Sequence, residues 1–188
     1  PNDIVPMALA HLGLDPTTNS KADYDRAGEL LNAIRPYIKT FDNYAYQRMP
    51  QKEFCVAVTW GPDGLLAMSG AAEADTGVVL DFFLPKGEGK ANLWIDGWII
   101  PSDAVNIEDA HLFLNYMMRP EVAAGDSNYT WYATANLSAK PLIDQEVTSS
   151  PAAFPTSDQI SKMYTNKSLT PKVQRIQTRT WTDFKAGN

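Results

Sequence analysis

The stretch WIDGWIIPSDAVNIEDAHLFLNYMMRPEVAA, Trp94–Ala124, decides the fold. Its opening, within LWIDGWIIP at 93–101, has the length and the aromatic and β-branched content of a strand. Pro101-Ser102-Asp103-Ala104 turns the chain. Asn106 then caps a helix with Glu108 and Asp109 in its first turn and Ala110, Phe113, Leu114 and Met117 on one face, ending near Pro120. One residue does not suit a strand due for burial: Asp96, set between Trp94 and Trp98. Taking an ionised carboxylate out of water costs about several kcal/mol unless a cation or dense hydrogen bonding offsets it. Either something satisfies Asp96, or it lines a site.

Working outward, the same alternation recurs. FCVAVTW, 54–60, is a second strand-like run, broken by Gly61-Pro62-Asp63-Gly64 before the helical stretch LLAMSGAAEA. GVVLDFFLP, 77–85, is a third, followed by the turn-rich PKGEGKAN, in which Gly87-Glu88-Gly89 reads as a turn. At the start, Asn2 or Asp3 can cap a helix carrying Ile4, Val5, Ala8, Leu9 and Leu12, ended by Gly13. A second amphipathic helix covers 25–35 and stops before Pro36. Region 137–157, rich in Pro, Ser and Thr, reads as an ordered surface wrap. Thr170-Pro171 opens a last helix whose Val173, Ile176, Thr180 and Phe184 can dock on a core.

Helices alternating with short apolar strands indicate an α/β layer architecture. Three strands make a thin sheet, where about 5 to 6 are usual, so partner strands are expected upstream of Pro1 and the chain reads as the second half of a larger fold.

With 188 residues, 44% hydrophobic and 20% charged, the composition is globular, and the net charge of -6 with scattered Lys and Arg argues against a nucleic-acid partner. A cationic small ligand suits the sign better. The single cysteine, Cys55, reads as a small buried residue. No apolar run approaches the ~18 residues of a membrane span. His11 and His111 lie on helices without ligand spacing, so neither a metal nor a cofactor is expected. No nucleophile elbow, phosphate-binding loop, dinucleotide fingerprint or C-x-x-C is present.

Two pairs repeat one pattern, Trp60 with Asp63 and Trp94 with Asp96: an aromatic plate and a carboxylate at a strand end or entry, where open α/β sheets place ligands. Trp131-Tyr132 adds a third aromatic spot. Rings and carboxylates together suit an organic cation, because a ring face attracts an ammonium by ~0.5 to 2 kcal/mol and a carboxylate at ~4 Å gains about 4 kcal/mol at an effective dielectric of 20. Structural readings compete: Asp63 and Asp3 can be helix caps, and the tryptophans core aromatics. From another class, Asp63 and Asp96 could be the acid and base of a carbohydrate-processing enzyme.

The chain resembles the periplasmic polyamine-binding proteins of ABC importers, receptors for putrescine and spermidine with the type II two-lobe binding-protein fold. The resemblance is carried by FCVAVTWGPDGLLA, by the block Trp94–Ala124, by YATANLSAKPLI and by RIQTRTWTDFKAG. It implies a solute receptor and not an enzyme, located in the periplasm, that delivers a linear polyamine to a membrane permease. It also implies that the N-terminal segment of the fold is absent from this chain, so that the missing N-terminal half is a partner. Residues 1–85 would hold most of lobe 2, 86–130 the crossover and a return strand and helix of lobe 1, and 131–188 a C-terminal turn and helices packing across the lobes. The ligand-binding residues it implies are Trp60, Asp63, Trp94, Asp96 and Tyr132, with Asp3 in the place of an acid at the start of the first helix, where PND departs from the usual P-E-E. A receptor for another cationic or zwitterionic solute is the nearest alternative.

Overall fold

The computed structural model describes every residue of 1–188 except Thr76, Glu88 and Asn188. Its helices are α1 (Ile4–His11), α2 (Lys21–Ile34), α3 (Ala45–Arg48), α4 (Gly61–Glu73), α5 (Ile107–Met117), α6 (Pro120–Thr130), α7 (Gln145–Thr148), α8 (Ser157–Ser161) and α9 (Pro171–Ala186). Two compact units divide them: unit 1 takes 1–42, 84–94 and 157–188, and unit 2 takes 43–83 and 95–156.

Unit 1 is built on α1, α2 and α9. Apolar residues at helical spacing bury one face of each, giving a core of Val5, Ala8, Leu9, Tyr24, Ala27, Leu31, Val173 and Phe184. Gly28 lets α2 approach α9 closely: a Cβ there would already touch the methyl of Thr180. The helix ends are satisfied by side chains. Thr170 Oγ1 accepts from Val173 N, and Lys90 Nζ reaches the C-terminus of α1, donating to the carbonyls of Ala10 and His11. Ser20 caps α2, its hydroxyl accepting from Asp23 N at 3.3 Å. Ser20→Ala therefore lowers the stability of unit 1 by about 1 kcal/mol, read as a drop in its thermal midpoint.

Unit 2 has its own core, in which Leu65 from α4 and Ala123 and Ala124 from α6 meet Ala139, Ile143, Val147 and Ala153. Four of these residues come from 137–157. That region is a wall of the core and not a surface wrap, because its short turns bring small apolar residues inward.

The three strand-like stretches form no ladder among the described residues. No strand is assigned in them, and the β-pairing nearest to them is a single parallel bridge, Asn92, just before 93–101, with Tyr164 in unit 1. A strand needs a neighbour for its N–H and C=O groups. These stretches do not supply one to each other, and their side chains stand open, with Val79 94% and Ile99 86% exposed. Helix α5 follows suit: its expected core face is not buried, and Phe113 packs edge-on against the exposed Trp98 at 5.2 Å. Cys55, expected inside, is exposed for the same reason. In the turn 85–92, Gly87 and Gly89 adopt positive φ, while Glu88 lies outside the described residues.

Candidate functional site

In unit 2 the expected break after Trp60 is the first turn of α4. Trp60 is the N-cap residue with extended backbone, Pro62 takes an early position whose missing N–H costs nothing there, and Asp63 follows in the first turn. A carboxylate at a helix N-terminus is favoured by the helix dipole. Gly61 fixes where this turn sits: a Cβ at that position would lie 2.2 Å from the carbonyl oxygen of Ala152.

Asp63 does not cap the helix with its side chain; it is buried, at 9% exposure. It accepts hydrogen bonds from Thr59 Oγ1, at 3.4 Å, and from the Tyr132 hydroxyl. Burial raises its pKa, and the bonds from Thr59 and Tyr132 draw it partly back. It makes no ion pair among the described residues.

Tyr132 reaches Asp63 from the far end of α6. The helix stops at Trp131, whose φ of 63° turns the chain into the left-handed region, and Tyr132 N donates to Thr130 Oγ1. The indole of Trp131 packs on the unit 2 core, which holds this unusual backbone in place. The Tyr132 phenol is pushed up to about 12, first by burial, then by the charge of Asp63 and the bond to it, then by the charges of Asp96 and Tyr46. Trp60, Asp63, Asp96 and Tyr132 thus all belong to unit 2, and Asp63 and Asp96 both act electrostatically on Tyr132.

Asp96 itself is exposed, as are its neighbours Ile95 and Trp98. The expectation of a carboxylate buried in a strand is corrected here: the stretch has no strand partner among the described residues, so water reaches Asp96.

In unit 1, Asp3 stands at the N-cap of α1 yet gives its side chain elsewhere. Its Oδ1 accepts from Trp94 Nε1 at 2.8 Å, and the indole remains 43% exposed. The segment delivering Trp94 is held by Leu93 N donating to Tyr164 O at 2.8 Å and Tyr164 N donating to Ala91 O at 3.0 Å. The Tyr164 phenol is pushed up to about 12 by burial and by the charge of Asp3. Asp3 and Trp94 are therefore brought together in one unit and the other four site residues in the other.

The sequence reading missed Thr59 and Tyr46. Thr59 had a usable signal, since it lies one residue before Trp60 and four before Asp63, within reach of a side chain that folds back onto a helix start. Tyr46, on α3 in a segment with no clear pattern, had none.

Comparison with known proteins gives four findings. The model of a family described as bacterial extracellular solute-binding protein matches residues 1–156. The putrescine-binding periplasmic protein of Escherichia coli strain K12 is 38% identical over 189 residues, covering 100% of this chain and 50% of the relative. The putrescine-binding periplasmic protein of Pseudomonas aeruginosa strain UCBPP-PA14 is 35% identical over 188 residues, with 100% and 51% covered. Among solved structures, a protein from Listeria monocytogenes provisionally assigned as a spermidine/putrescine ABC transporter superposes with a TM-score of 0.83 at 25% identity, over 100% of this chain and 56% of that one. The chain thus spans about half the length of the curated relatives it matches.

Proposed function

We propose, from the premise that this chain belongs to the family of bacterial extracellular solute-binding proteins, that it carries part of the binding site of a receptor for a linear polyamine such as putrescine or spermidine. Its fold is the periplasmic binding-protein fold, of which this chain covers about half.

The observation that carries the reading is Asp63. A carboxylate 9% exposed, penalised by its own burial and held by two hydroxyls, has no positive partner among the described residues. The nearby Asp96 adds a second negative group, while Trp60 and Tyr132, at 40% and 39% exposure, offer ring surface for methylenes. A linear diammonium or polyammonium ion matches all of these features: its positive charges offset the acids, its N–H groups find oxygen acceptors, and its chain lies on rings. In unit 1, Asp3 and Trp94 repeat the carboxylate and indole pairing. The names of the similar proteins, putrescine-binding in both curated relatives, support the same ligand class.

In this reading the two compact units are this chain's contributions to the two lobes, and the protein is a non-enzymatic receptor in the periplasm that presents its ligand to an ABC importer permease. The polypeptide corresponding to the other half of the relatives is a partner, supplying strands to the open stretches of 54–60, 77–85 and 93–101. Among the described residues no helix is long and apolar enough to cross a membrane.

The test is a thermal-shift panel on this chain combined with the other half. Putrescine or spermidine at about one hundred times its dissociation constant should stabilise the protein by ~2.7 kcal/mol, several degrees in midpoint, with no effect from sugars and no glycoside hydrolysis. Stabilisation by sugars with turnover selects the enzyme class. Stabilisation by amino-acid derivatives alone selects a receptor for another cationic or zwitterionic solute.

A further inference from the structure

We infer that Thr59 is a positioning residue of this site: its hydroxyl, donated to Asp63 Oδ2, works with the Tyr132 hydroxyl to fix the plane of the carboxylate that receives an amine. The inference rests on the polyamine reading for its ligand, but not for its geometry.

Thr59 ends the extended segment that leads into α4, one residue before the N-cap and half-buried. Its branched Cβ allows few χ1 settings, so the hydroxyl is offered in a fixed direction and not searched for. The backbone beyond it is pinned where Gly61 meets the Ala152 carbonyl. Tyr132 arrives from a different element, after α6. Two donors from separate parts of the chain define the orientation of a carboxylate, whereas one leaves it free to swing about the first bond.

The groups around Asp63 make its hydroxyl contacts consequential. Tyr132 faces it directly, Asp96 and Tyr46 act on Tyr132, and Asp63 has no Lys or Arg in ion-pair range among the described residues. Hydrogen bonds to the ionised form are therefore what opposes the effect of burial until a ligand cation arrives. Loss of the Thr59 donor makes Asp63 hold its proton to higher pH, and an amine meeting a protonated acid loses its charge partner.

The experiment follows the Asp63 carboxyl carbon by NMR through a pH titration of this chain, in the parent and in Thr59→Val, which keeps the shape and removes the donor, and Thr59→Ser, which keeps the donor and removes the methyl. Val should raise the titration midpoint and Ser should restore it, since the Thr59 donor favours the ionised form of Asp63. Putrescine calorimetry on the protein combined with its other half should show Val weakening binding about five- to tenfold, most strongly at the acid end of the profile. An unmoved midpoint in a folded Val variant, or a Ser variant as impaired as Val, overturns the inference. If Val fails to fold, Thr59→Ala removes the donor with less bulk and is judged by the same midpoint. A parent protein that shows no putrescine isotherm defeats the polyamine reading instead, and the NMR midpoints still decide the role of Thr59.

Discussion

Asp63→Asn should weaken putrescine binding by about 2 to 5 kcal/mol, roughly thirtyfold or more, while raising the thermal midpoint of the ligand-free protein. The two signs have one cause. Asp63 is buried, at 9% exposure, and burial raises its pKa. An acid whose folded pKa lies above the unfolded 3.8 adds stability that is fully present below that value and is lost as pH rises through the folded pKa. At neutral pH the ligand-free site therefore carries the cost of an ionised, desolvated carboxylate. Asparagine keeps one oxygen acceptor for the Thr59 and Tyr132 hydroxyls and has no charge to desolvate, so the empty protein gains. The ammonium then meets an amide in place of an anion, so the complex loses. Asp96→Asn should cost less, because Asp96 is exposed and solvent screens its pairing with an amine. Calorimetry and thermal melts on the same two variants check both signs. Unchanged affinity in Asp63→Asn sinks the assigned role, and equal losses at the two positions would mean that burial does not rank them.

How much of this could be read in advance depended on whether a residue's surroundings lie nearby in the sequence. The helix over 171–186 was legible because Thr170-Pro171 marks its start and Val173, Ile176 and Phe184 repeat at helical spacing, so one face had to be buried. Helix α1 was legible from Asp3 to Gly13 on the same grounds. The strands were legible as extended apolar runs and illegible as a sheet, because a ladder requires a second strand and periodicity says nothing about whether one is within reach. That gap produced the errors over Asp96 and Cys55, each judged buried from an apolar neighbourhood that no other segment covers. The candidate acids and rings were visible as residue types, but their grouping was not. That Trp94 bonds Asp3 across 91 residues, and that Tyr132 bonds Asp63, follow from tertiary packing alone. A helix cap was the natural role for both Asp3 and Asp63. Neither side chain caps its helix: Asp3 bonds the Trp94 indole and Asp63 the hydroxyls of Thr59 and Tyr132.

Gly61→Ala should destabilise unit 2 by about 2 to 4 kcal/mol, at or above the upper end of what overpacking costs, and should disturb the site in the same step. The added methyl would sit 2.2 Å from the Ala152 carbonyl oxygen and 3.0 Å from its carbon. Both obstructing atoms are backbone, so no rotamer change relieves the overlap. Either the turn around Ala152 or the first turn of α4 must move. Ala152 packs beside Ala153 and Val147 in the unit 2 core, and displacing it loosens that core; displacing α4 instead moves Trp60 and Asp63 away from Tyr132. The left-handed region plays no part here, because Gly61 has helical backbone and the constraint is purely steric. Gly125→Ala in α6 is the control, since a Cβ there meets nothing within 4 Å and should stabilise the helix by roughly 0.5 to 1 kcal/mol. Hydrogen exchange resolves the two units: Gly61→Ala should lose protection in 61–73 and 145–154 while α1, α2 and α9 of unit 1 keep theirs. The Tyr132 absorbance titration supplies the link to the site. The phenol is pushed up to about 12 first by burial and then by the charge and bond of Asp63, so a shift of α4 that opens this contact should lower its midpoint. A Gly61→Ala protein with the parent melting temperature and an unmoved tyrosine titration would show that the close approach at Ala152 positions nothing.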